Sequence, residues 1–183
     1  MINQSANMQK VLGVLNDMQS AGIVEKYAIG GAFAAILHNE PISTIDLGIF
    51  FFLKEKGESP ILSLSAIYDY ANKRGFSFDH EFVNVHGWLV RFVEANPSRL
   101  WTEAIENADT IKIDNLNASL IGKEHLVAVW LFAGRAKDSQ KIAMFREADF
   151  LDEVKLFDIL ERHDLIDLSD GLVCAFVGAQ VLN

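Results

Sequence analysis

The stretch that decides the fold runs Ile29-Gly30-Gly31-Ala32-Phe33-Ala34-Ala35-Ile36-Leu37-His38. It resumes past Pro41 as Ser43-Thr44-Ile45-Asp46-Leu47-Gly48-Ile49-Phe50-Phe51-Phe52-Leu53. The first half joins a short apolar strand, residues 27–29, through a Gly-Gly turn to a helix of small residues, residues 32–37. Pro41 and Ser43 mark a break. The second half, residues 44–53, is too apolar for an exposed edge and reads as a central strand. Strand, glycine turn, helix and strand thus follow one another directly.

Upstream, Met8, Val11, Leu12, Leu15 and Met18 recur at helical spacing, with Gly22 as a left-handed stop. Downstream, Pro60 opens a helix to about residue 74, with Ile61, Leu64, Ile67, Tyr68 and Ala71 on one face. Residues 82–85 and 88–93 flank His86-Gly87, the spacing of a two-residue hairpin. A helix over residues 98–108 precedes short strands at 110–113 and 118–121. After Gly122 the pattern turns helical, over residues 124–133, 138–148, 151–162 and 172–181. The expected fold is α+β: a mixed sheet flanked by helices in a core of residues 1–121, then a C-terminal helical region, residues 122–183, packed on that core.

Half of the 183 residues are apolar and 22% are charged, which suits a globular chain with an ordinary core. The lone cysteine, Cys174, lies in an apolar stretch and suits a reducing, cytoplasmic compartment. No basic leader with an apolar run is present, and no segment reaches the ~18 apolar residues of a membrane span, so no membrane partner is expected. The net charge of −9 repels a phosphate backbone and argues against broad duplex nucleic-acid binding, while allowing a local basic site. Five scattered histidines lack metal-ligand spacing, and Trp88, Trp101 and Trp130 fall on apolar faces that suit core packing.

The two quoted stretches, with Glu124-His125-Leu126 and Ala133-Gly134-Arg135-Ala136-Lys137-Asp138, resemble the nucleotidyltransferase-fold proteins, AbiEii-like toxins among them. In that family a Gly-Gly or Gly-Ser turn leads into a helix and an Asp-x-Asp pair follows on the next strand. The resemblance spans about residues 24–165. It implies a nucleotidyltransferase-like sheet and a nucleotide bound at Gly30, Gly31, Ser43, Thr44, Arg91, Arg135 and Lys137. It also implies Asp46 as a catalytic carboxylate holding magnesium and, in a toxin–antitoxin setting, a protein partner.

The chemistry behind that pattern is specific. A glycine pair lets backbone approach a triphosphate. Two carboxylates two residues apart on a strand share a face and can hold two magnesium ions. Asp46 takes the first position, Gly48 the second, and Arg91 stands where a third acid would come from the neighbouring strand. Glu94, Asp79 and Glu81 are the acids that could substitute. Ile42 stands where the family often has Arg.

Two functions stay open on these residues. One is a catalytically impaired protein that binds a nucleotide or a partner; the other is an active enzyme moving NMP from an NTP to a hydroxyl. The missing acids favour the first. Local readings also compete: Asp46 held by a turn, and Arg135, Lys137 and Lys141, which could contact phosphates, as a solvated helix start capped by Asp138.

Overall fold

A computed structural model describes residues 4–38, 42–52, 62–95, 98–148 and 151–169. The elements run α1 (Gln4–Ser20), β1 (Lys26–Gly30), α2 (Gly31–Leu37), β2 (Asp46–Phe52), α3 (Leu62–Lys73), β3 (Ser77–Asp79), β4 (Phe82–Val85) and β5 (Trp88–Glu94). They continue α4 (Arg99–Glu106), β6 (Asp109–Ile113), β7 (Leu116–Leu120), α5 (Lys123–Ala133), α6 (Ala136–Glu147) and α7 (Glu153–Arg162), closing on a 3-10 turn, Ile166–Ser169. The expected helix over 172–181, Cys174, and the breaks at Pro41 and Pro60 lie outside the described residues.

The strands form one mixed sheet in the order β3-β4-β5-β2-β1-β7-β6, with β2 in the middle. Its apolar run is accounted for by that place: both edges of β2 are paired, β1 antiparallel and β5 parallel, and both faces are covered. Gly30 faces Gly48 across β1 and β2, and Gly48 is level with Arg91 across β2 and β5. The hairpin between β4 and β5 turns through His86 (φ 52°) and Gly87 (φ 90°). Two positive φ values in succession are what a two-residue turn matching strand twist requires. The Gly87 N–H also donates to Asn84 Oδ1 at 2.9 Å.

Strand alternation separates two faces. Asp46, Gly48, Phe50, Arg91 and Val93 share one, and α4 lies over it, with Trp101 edge-on to Phe50 at 5.4 Å. Leu47, Ile49 and Phe51 share the other, which α1 covers; there the Tyr27 hydroxyl donates to Asn16 Oδ1 at 2.7 Å. Burial without a charged neighbour pushes that phenol up to about 12. Just past α3, Arg74 pairs with Asp17 of α1 at 3.2 Å.

Helix α5 is buried continuously from Glu124 to Trp130 and packs against α2, α4, α6 and α7. A helix covered from several sides is apolar around its circumference rather than along one stripe. Strand β3 is absent from the expectation drawn from sequence. Its three residues are all exposed at the sheet edge, so Ser77-Phe78-Asp79 carries no inward-outward signal. Among the described residues no helix is long and apolar enough to cross a membrane.

Candidate anion cleft

The antiparallel pairing of β1 with β2 brings the glycine turn beside Asp46 at one end of the sheet. A cleft of about 350 Å³ opens there, within the range of small-ligand pockets. Its lining includes Gly31, Asp46, Gly48 and Arg91 from the sheet side, Trp101 from α4, and Trp130, Phe132, Arg135, Lys137 and Lys141 from α5 and α6. Five of the residues singled out from sequence, Gly31, Asp46, Arg91, Arg135 and Lys137, therefore share one wall-to-wall space.

The other three sit differently. Ser43 is exposed and Thr44 half-buried, and neither is part of the lining. The Thr44 hydroxyl donates to Asp46 Oδ1 at 2.9 Å, so Asp46 both lines the cleft and is held by the chain just before it. Gly30 is buried, and a Cβ there would lie 2.4 Å from the Phe50 ring. Its missing side chain is what lets that ring pack.

Gly31 and Gly48 are glycines for other reasons. Gly31 holds φ +67° with open space around its Cβ position, the left-handed conformation that carries the chain from β1 into α2. At Gly48 a Cβ would meet only ordinary van der Waals neighbours, the nearest being the Gly30 carbonyl at 3.5 Å. A Cβ at Gly48 would therefore fit without displacing its neighbours.

Charge in the cleft is one-sided. Arg91, Arg135, Lys137 and Lys141 line it, and Asp46 is the one carboxylate among the described lining residues. Asp138 lies beneath, fully buried, accepting from Arg135 Nε at 2.5 Å and Lys141 Nζ at 2.7 Å. This corrects the reading of Asp138 as a helix cap. Helix α6 starts at Ala136, two residues earlier than the sequence pattern suggests, so Asp138 falls in its first turn and points inward. It fixes two cations while neutralising part of their charge; Lys141 is also placed over the Trp130 ring at 5.3 Å. In a chain of net charge −9, this concavity keeps an excess of positive charge.

Donors without acceptors gather in the same side chains. Arg91 Nε, Trp101 Nε1 and Trp130 Nε1 are buried N–H groups with no hydrogen-bond partner. Each such group costs on the order of 1–3 kcal/mol until an acceptor meets it. Among the described residues no three His, Cys, Asp or Glu side chains gather so as to hold a metal ion. Glu94 lies on the opposite sheet face from Arg91, three residues on; Asp79 ends β3, two strands from β5, and Glu81 lies in the turn just before Phe82, the β4 residue paired with Arg91, and none of the three is among the described residues lining the cleft.

A second concentration of titratable groups lies among α4, α5 and α7 and escaped the sequence reading. Glu103 receives Arg162 Nη2 at 2.5 Å, His163 Nε2 at 2.7 Å and His125 Nε2 at 3.2 Å. Burial alone would raise the Glu103 carboxyl, but these three hydrogen bonds hold it down to about 2. Burial pushes His125 below its ordinary value against the pull of Glu103. A carboxylate only accepts, so the His125 proton sits on Nε2, and Nδ1 is left buried without a partner. Next to this group, Glu124 accepts from the Asp152 N–H at 3.1 Å and from Lys155 at 3.1 Å, tying the start of α5 to the start of α7.

Compared with models of known protein families and with curated proteins, the chain matches none.

Proposed function

We propose that the cleft is a metal-independent anion site that takes the phosphates of a nucleotide, in a nucleotidyltransferase-like fold whose transfer chemistry is impaired. The observation that carries this reading is Arg91. It is level with Gly48, the strand position where the family resemblance implies a second metal-binding carboxylate, and its Nε is buried without an acceptor. A cation in that place repels magnesium and attracts phosphate, and a guanidinium can meet a phosphate with two parallel N–H groups. Arg135, Lys137 and Lys141 add charge from the facing wall.

Magnesium does not fit this set of residues. Two such ions bridging a triphosphate need several carboxylates, and Asp46 stands alone among four cations. Asp46 instead limits how much negative charge the cleft accepts and, braced by Thr44, keeps a fixed position at its rim.

Calorimetry with tripolyphosphate and ATP, in EDTA and then in magnesium, tests the reading. Binding in EDTA at micromolar to millimolar concentration is the expected result, with magnesium weakening it by shielding the ligand. Binding that requires magnesium, or nucleotide transfer at roughly 1 per second or faster, overturns it.

A further inference from the structure

We propose that the ligand of this cleft carries a planar heteroaromatic ring, and that Phe132 is the residue that stacks on it. The inference rests on the anion-site reading above and adds to it where the base of the nucleotide is held, which an inorganic or sugar phosphate could not use. Phe132 belongs to α5, whose residues 124–130 are all buried, yet it keeps 51% of its surface exposed in the last turn. The exposed ring lies on the wall of the basic cleft, beside Ala133 and in line with Arg135 and Lys137. Other rings in the cleft are engaged: Phe50 meets Trp101 edge-on, and Trp130 meets Phe145 edge-on. Among the described residues no ring meets Phe132.

An uncovered phenyl face beside several cations is of no use to a bare phosphate, which needs charge and donors only. It suits a molecule that is anionic at one end and flat and weakly polar at the other. Stacking of a base on an aromatic side chain is tolerant of base identity, because every base has a π-face. Trp101 and Trp130 line the same space and each bring an indole N–H without an acceptor. Nucleobases carry ring nitrogens and carbonyl oxygens that accept such bonds; a simple phenyl or alkyl group does not. The volume of about 350 Å³ suits one nucleotide.

The experiment compares ATP with tripolyphosphate on the native chain, on Phe132→Ala and on Phe132→Trp, by calorimetry in EDTA. Adenine H8 and H2 shifts are followed by NMR, and a thermal melt checks that each variant is folded. Tripolyphosphate is the more highly charged ligand, so any preference for ATP understates the ring's contribution. Expected is tighter binding of ATP, lost by about ten-fold in Phe132→Ala and kept in Phe132→Trp, with tripolyphosphate affinity the same in all three. The upfield adenine shifts should vanish in Phe132→Ala. Unchanged ATP affinity in Phe132→Ala, or no preference for ATP in the native chain, overturns the stacking role while tripolyphosphate binding keeps the anion site standing. Failure of both ligands to bind the native chain overturns both.

Discussion

The cleft and the Glu103 cluster both gather charge between α4, α5 and their neighbours, yet they are built in opposite ways. Around Glu103 each carboxylate oxygen has found a donor, and three elements are tied by one acid. Among the residues lining the cleft three buried N–H groups have no acceptor, against one unmet ring nitrogen, His125 Nδ1, in the cluster. A folded chain leaves few buried polar groups unmet, so a set gathered in residues around one concavity supports the proposal that a ligand binds there. The difference lies in the ledger of partners, not in the number of ionisable residues.

The sharpest way to break that contrast is at Arg91. Replacing it with Met removes the buried donor and the charge level with Gly48 while keeping much of the apolar stem. Tripolyphosphate affinity should fall about a hundred-fold, with the midpoint of chemical denaturation unchanged or raised, because an unmet donor has been deleted. If Arg91→Met instead unfolds the chain, Arg91 belongs with Glu103 among the staples.

Glu103 should answer in the opposite currency. Glu103→Gln leaves His163 without its counter-charge and Arg162 with Asp158 alone, and is expected to cost about 2 kcal/mol of stability at neutral pH, with nucleotide affinity untouched. The acid limb sharpens the test. Because the folded carboxyl sits near 2 against an ordinary 4.5, its stabilisation is fully present above 4.5 and is lost as pH falls towards 2. His125, held below 6.5, adds an earlier loss: on acidification through 6.5 the unfolded chain takes up a proton that the buried ring resists. Urea melts from pH 7 to 2 should show stability declining in those two windows, and Glu103→Gln should flatten the lower one.

These residues also show where sequence stops being legible. The central place of β2 is written in Ile49-Phe50-Phe51-Phe52, since only a strand paired on both edges and covered on both faces suits that run. The hairpin at His86-Gly87 and the approach of Gly31 to Asp46 follow from local spacing. Lys141 reads from sequence either as a phosphate contact or as part of a helix start, and Phe132 as one more apolar residue in an apolar helix. Glu103, His125 and His163 stand 22 and 60 positions apart, and no local pattern joins them. Burial of Asp138 depended on a helix beginning two residues early. Periodicity reports which face is apolar; it does not report which polar groups find one another.

The smallest expected effect has the most decisive sign. Asp46→Asn removes the one acid among the described lining residues, which include four cations, and should tighten ATP binding in EDTA by about two-fold to three-fold. For a magnesium ligand the same change would abolish binding or turnover. Calorimetry on this variant separates the two, and a loss of affinity would favour the metal site.

The middle position of β2 has a consequence for how the chain comes into being. Synthesis runs from the N-terminus, and Leu47-Gly48-Ile49-Phe50-Phe51-Phe52 emerges well before its parallel partner, residues 88–94, exists to cover its second edge. Until then the nascent protein holds out a flat, uncharged, aromatic segment of the kind that pairs with copies of itself. Of its two edges only the one facing β1, already made, is covered by then, through the antiparallel register from Lys26 to Gly30. The strand that makes the finished sheet secure is therefore the one a cell must keep from aggregating while the rest is translated.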